Sequence, residues 1–134
     1  MTDNKQIAID WLRSVGGGDV ETFKSLSADD IVHEVMGTSV LSGTRTLDDL
    51  VELAQGLFAA TKNGLEFEIL NATAEDDRVA LQFEGTSELL NGASYDNTYH
   101  LLFQLRDGKV CRVWEYTDTK IVDEALGPLL AQAT

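Results

Sequence analysis

The stretch YDNTYHLLFQLRDGKVCRVWEYTD, Tyr95 to Asp118, constrains the fold more than any other part of the chain. It reads as two long strands joined at Asp107-Gly108, because that dipeptide tolerates the positive φ angles a tight hairpin requires. Side chains alternate faces along a strand, so Glu115 is expected to share a face with Cys111, Val113 and Thr117. If that face looks into the core, Glu115 is a carboxylate among apolar neighbours. An acid in such surroundings is a candidate functional group.

The rest of the chain supplies what such a hairpin packs against. Thr2 or Asp3 can cap a first helix whose apolar residues Ile7, Ala8, Trp11, Leu12 and Val15 follow helical spacing. Gly16-Gly17-Gly18 stops it, and Asp19 caps a short second helix through Phe23 and Leu26. A short strand is expected from Ile31 to Met36, then a loop from Gly37 to Gly43. Thr46 caps a third helix with Leu47, Leu50, Val51, Ala54, Leu57 and Phe58 on one stripe. Asp48 and Asp49 sit in its first turn, where the helix dipole favours negative charge. After Asn63-Gly64 the apolar period shortens to two, first from Leu65 to Leu70 and again from Arg78 to Leu89. A last helix is expected from Ile121 until Pro128.

Helices followed by a run of strands predict an α+β layer fold. The expected form is a cone of N-terminal helices packed on a strongly curved, mostly antiparallel sheet, a cystatin-like α+β barrel. The outer sheet face would carry Trp114, Tyr116, His100 and Leu102, an apolar patch that predicts a homodimer through that face. At 134 residues the length suits one domain spanning 1–134.

Charge and cysteine content narrow the function classes. The formal net charge of -13 argues against nucleic acid and anionic membranes, which recruit basic faces. One cysteine, Cys111, cannot form an intrachain disulfide, and its neighbours predict a buried, inert thiol. No apolar run approaches the ~20 residues that span a bilayer, and the polar start MTDNKQIAIDWL is unlike a signal peptide. A cytoplasmic protein is expected. Two histidines without ligand spacing and no glycine-rich phosphate loop predict no metal and no cofactor.

Three ordered segments carry a family resemblance: SVGGGDVETFKSLSADDIVHE, LSGTRTLDDLVEL and the hairpin stretch. Together they resemble the SnoaL-like and ketosteroid-isomerase-like branch of the nuclear transport factor 2-like superfamily, over nearly the whole chain. The resemblance implies a deep apolar cavity, frequent dimers, and chemistry such as ketosteroid isomerisation, polyketide cyclisation, dehydration or epoxide opening. Residue by residue, the tyrosine of ketosteroid isomerases falls at Trp11 and their strand acid near Leu101. Their base falls at Val35 or Glu34, depending on whether the match is counted from Asp29-Asp30 or back from Gly37. The isomerase set is largely missing. The last-strand acid of limonene-epoxide hydrolases matches Glu115, but their arginine and second aspartate fall at Gly85 and Ser87. The resemblance also gives Glu115 the role of the SnoaL-like cyclase acid, which removes a proton beside a carbonyl.

The candidate catalytic residues are therefore Glu115, His33 and Tyr99. Glu115 is the candidate base. His33 faces inward on the register counted from Asp29-Asp30 and could partner it, with Glu34 taking its place if the register shifts. The Tyr99 hydroxyl could stabilise negative charge on a substrate oxygen. The expected cavity lining is Trp11, Glu34, Met36, Val79, Leu81, Phe83, Asn97, Leu101 and Val113. The expected ligand is a small hydrophobic molecule, and the expected chemistry is proton transfer on a carbonyl compound, as an isomerase, cyclase or lyase. A non-catalytic module that binds an apolar ligand or a protein partner is the alternative.

Overall fold

A computed structural model of the chain describes residues 3–132. The element order is α1 (Asn4–Gly16), α2 (Val20–Ser25), β1 (Ser27–Val35), β2 (Gly43–Arg45), α3 (Leu47–Ala59), β3 (Glu66–Glu75), β4 (Arg78–Thr86), β5 (Asn97–Arg106), β6 (Lys109–Thr117) and α4 (Thr119–Gln132). The six strands form one curved sheet ordered β2-β1-β6-β5-β4-β3. All neighbours are antiparallel except β1 and β6, which run parallel. The α+β expectation holds, with helices against the inner face of a bent sheet.

The local chemistry explains most boundaries. Asp3 caps α1 by accepting from the Lys5 N–H, and the Thr2 alternative lies outside the described residues. Asp19 accepts from the Thr22 N–H at the start of α2. Thr46 and Asp49 form a reciprocal capping box on α3, satisfying two otherwise orphaned amides. At the β5–β6 turn, Asp107 and Gly108 both take positive φ, 55° and 76°, as a mirror-image hairpin turn demands.

Four expectations are corrected. First, β1 begins at Ser27, so Asp29 and Asp30 lie within the strand and Met36 beyond it. A register irregularity between Ser27 and Val32 hides this early start from a simple alternating pattern. Second, Gly43–Arg45 is a short edge strand, β3 runs from Glu66 past Leu70 to Glu75, and β4 ends at Thr86. Third, α4 continues through Pro128, because the apolar stripe resumes at Leu129 and packs with Leu126 on one cluster. Fourth, Cys111 is half-buried at a register shift in β6 and does not share the Glu115 face. The shift gives the inward place to Val110, which is fully buried like Val113.

The main core lies between α1 and the inner sheet face. Trp11 packs edge-on against Phe103, with ring centroids 5.5 Å apart, and tilted against Phe23 at 5.3 Å. Its indole N–H donates to Ser27 Oγ at 2.9 Å, which in turn donates to the Phe23 carbonyl. A buried polar group is thereby satisfied where helix meets strand. Val79, Phe103 and Val113 form one cross-strand row beneath it, all fully buried.

Gly64 joins α3 to β3 with φ +75°, and a Cβ there would sit 2.5 Å from the Gly16 carbonyl oxygen. The same carbonyl accepts from the Leu65 N–H at 3.0 Å, so backbone meets backbone. Gly64→Ala therefore combines left-handed strain of ~1–2 kcal/mol with a clash of ~1–3 kcal/mol. Its thermal midpoint is expected about 10 °C below the parent by calorimetry. A shift under about 2 °C would contradict this close approach.

Candidate functional site

The inner sheet face and the helices enclose a cavity of about 70 Å³. α1 contributes Trp11, Leu12 and Val15, and α3 contributes Leu50, Leu53, Ala54 and Leu57. Strand residues His33, Val35, Phe67, Phe83, Tyr99, Leu101 and Glu115 complete it, with Leu41, Leu65 and Tyr95 from connecting segments. Apart from Trp11, whose indole N–H donates to Ser27, the lining residues with polar side-chain atoms are His33, Glu115, Tyr95 and Tyr99.

His33 and Glu115 meet across adjacent parallel strands, Nε2 to Oε1, at 3.0 Å. The backbones are in register at Val35 opposite Glu115, so the two long side chains converge diagonally over one pleat. The His33 side chain is 4% exposed and the Glu115 side chain 19%. The histidine is thus the buried member and the carboxylate the accessible one. His33 Nδ1 is buried without a hydrogen-bond partner. That favours the tautomer in which Nε2 carries the proton and donates to Glu115, since an unpaired N–H costs more than an unpaired lone pair. The arginines that could have neutralised Glu115 are engaged elsewhere, Arg112 with Glu34 at 3.2 Å and Arg106 with Asp30.

The second polar group is a hydroxyl pair. Tyr99 Oη donates to Tyr95 Oη at 3.3 Å. Asn97 Nδ2 also donates to Tyr95 Oη, at 3.4 Å, and to the Asp118 carbonyl at 3.2 Å. The Asn97 orientation is fixed because its Oδ1 accepts from the Thr98 N–H. The Tyr95 oxygen therefore receives two donors, and its own proton is left for the cavity it lines. Burial raises both phenols above their ordinary value, Tyr99 strongly, and the nearby Glu115 charge adds to each shift.

The unfolded phenol ionises first, near pH 10. The stability held in the neutral hydroxyls is thus fully present below that pH and lost as pH rises through the higher folded values. Absorbance titration near 295 nm is expected to show Tyr95 and Tyr99 ionising late, with unfolding accompanying them. Two phenols titrating at the ordinary value in a folded chain would contradict this burial.

Of the predicted lining, Trp11, Phe83 and Leu101 reach the cavity with His33, Tyr99 and Glu115, and the rest do not. Glu34 points to the opposite face, paired with Arg112, whose guanidinium lies 4.9 Å over Trp114. Met36 follows β1, its N–H donating to the Glu115 carbonyl. Val79, Leu81 and Val113 are fully buried in the main core outside the cavity wall. Asn97 stands behind Tyr95 as its donor. Tyr95 is the polar cavity residue that the sequence reading did not single out: it continues the alternation of Asn97 and Tyr99 but lies in the segment before β5. Asp118 accepts from the Lys120 and Ile121 N–H groups and so caps α4. Among the described residues, no group of three or more His, Cys, Asp or Glu side chains is placed to hold a metal ion. No helix among them is long and apolar enough to cross a membrane.

Solved structures share this architecture. An NTF2-like protein from Burkholderia xenovorans LB400 is 25% identical, with 91% of this chain and 94% of that chain covered at a TM-score of 0.72. IdmH of Streptomyces antibioticus, a proposed polyketide cyclase, is 17% identical, with 94% and 99% covered at a TM-score of 0.76. PrhC of Penicillium brasilianum is 15% identical, with 98% and 93% covered at 0.80. Among curated proteins none matches the sequence. Residues 8–113, from α1 to the middle of β6, match the SnoaL-like domain, and the chain belongs to that family.

Proposed function

We propose that this protein is an enzyme that moves a proton on a small hydrophobic carbonyl compound without a cofactor. The observation that carries the reading is the His33–Glu115 contact of 3.0 Å in the wall of an otherwise apolar cavity. Glu115, the more accessible partner, is the base, and His33 holds it in position through the Nε2 hydrogen bond. Glu115 takes the proton from the carbon beside the carbonyl, the C–H electron pair passes to the enolate, and the Tyr95 O–H donates to the enolate oxygen. The reaction closes when the proton returns to another carbon, when the enolate carbon attacks a second carbonyl, or when a β-substituent leaves. The apolar wall strengthens each of these polar contacts by excluding competing water.

Deuterium exchange of α-protons on small cyclic ketones in D₂O, followed by proton NMR, tests the reading. Exchange at least about 10²-fold above buffer is expected. Exchange at the buffer rate with every ketone that binds would refute it. A binding module is the rival, supported by the Trp11 indole N–H being committed to Ser27 instead of facing a ligand. A homodimer through the outer face belongs to the same proposal, supported by Tyr116 and Leu70, 50% and 43% exposed. Sedimentation velocity showing only monomer at micromolar concentration would remove that part.

A further inference from the structure

A second apolar compartment opens beside the cavity, between α3 and α4. Its volume is about 250 Å³, more than three times that of the reaction cavity. The two compartments share three walls, Leu41, Leu53 and Leu57. Beyond them the groove is bounded by Gly56 and Ala60 of α3 and by leucines 126, 129 and 130 of α4. None of these side chains carries a polar atom. An occupant would gain from apolar burial and find no side-chain hydrogen bond.

We propose that the groove holds the unbranched aliphatic tail of the substrate, whose carbonyl head reacts at Glu115. This rests on the proton-transfer reading of the cavity and adds the shape of the molecule. A cavity of about 70 Å³ admits only the reacting end of a ligand. Any longer substrate has to continue elsewhere, and the shared leucine wall is where the larger apolar space adjoins it. Leu41 lies in the segment between β1 and β2, and Leu53 and Leu57 are one helical turn apart on α3. Joining head and tail compartments requires these three leucines to change rotamer.

Gly56 supplies the probe. It is helical and exposed, it lines the groove, and a Cβ added there meets nothing within 4 Å, so the backbone accepts a side chain at the groove's edge. The experiment measures dissociation constants by titration calorimetry for straight-chain 2-alkanones from 2-hexanone to 2-decanone. In the parent chain, affinity is expected to rise about three- to fourfold per methylene, on the order of a hundredfold across the series. In Gly56→Phe the gain between the shortest and longest ketone is expected to collapse below about threefold. Gly56→Leu, which replaces glycine by a better helix former, serves if the phenylalanine variant is unfolded by circular dichroism.

A flat series in the parent chain, or a slope unchanged by both substitutions, overturns the tail site. A slope lost through self-association of the α3–α4 face, seen as a doubled mass, also overturns it. The chemistry is read separately. Chain-length dependence blocked at Gly56 with no α-proton exchange keeps the groove and removes the enzyme reading. Exchange with a flat series does the reverse.

Discussion

Glu115→Gln is expected to slow α-proton exchange from a bound ketone by about 10²–10⁴-fold while ketone affinity stays within about threefold. Glutamine keeps the shape of the side chain, and its carbonyl oxygen can still accept from His33 Nε2, so the cavity wall is preserved. What disappears is the basic oxygen. A loss confined to the chemical step therefore reports proton transfer and not altered packing. The histidine side is expected to behave differently. His33→Leu removes the hydrogen bond that orients the carboxylate and should cost about 10–10²-fold, whereas His33→Gln, which can still donate, should restore part of it. A binding module would show no exchange to lose. Equal exchange in parent and Glu115→Gln would move the base to another residue.

The largest stability effect is expected at Phe103. This ring is fully buried, stands edge-on to Trp11 at 80°, and sits between Val79 and Val113 in its cross-strand row. Neighbouring strands fix all three backbones, so the space left by Phe103→Ala cannot close. Such a truncation costs about 3–5 kcal/mol, a third or more of the stability of an ordinary domain. The thermal midpoint is expected to fall by about 10–20 °C. Glu115→Gln, at the cavity wall, should shift it by no more than about 3 °C. A Phe103→Ala shift under about 4 °C would mean that the row under Trp11 is loosely packed.

The contrast between these positions shows what was legible in the sequence. Alternation assigned the inward face of β4 and β5 correctly, since Val79, Leu81, Phe83, Tyr99, Leu101 and Phe103 all turn toward the helices, whereas in β6 it held for Val113 and Glu115 and failed at Cys111. In β1 the sequence left His33 or Glu34 inward, depending on where the register is counted from, and it is His33 that is buried while Glu34 pairs with Arg112. What alternation cannot give is depth along the strand. Val79, Phe103 and Val113 lie under Trp11, where the sheet and α1 are tightly packed, whereas Phe83, Tyr99, Leu101 and Glu115 lie where they part. That difference is set by sheet curvature, and curvature depends on irregularities such as those between Ile69 and Asn71 and between Gln104 and Leu105. No residue in those segments announces a bulge.

The same limit explains Cys111, whose face changes at the second irregularity, whereas Tyr95 keeps the alternation of Asn97 and Tyr99 although it lies in the segment before β5. The hydrogen bonds of the fold mark Tyr95 out, because Asn97 and Tyr99 both donate to its one oxygen. Pro128 is a different case. The local rule against proline in a helix was outweighed by Leu126 and Leu129, which bury the same stripe on either side of it.

The central claim is that His33 and Glu115 act as one proton-transfer unit, with Glu115 the base. The most direct measurement is the α-proton exchange rate of the His33→Leu/Glu115→Gln double variant against the two single variants. Residues that act as a unit are strongly non-additive. The double variant is therefore expected to exchange as slowly as Glu115→Gln alone, within about threefold. Losses that multiply would show two independent contributions, and a double variant as fast as the parent would show that the pair takes no part in the chemistry.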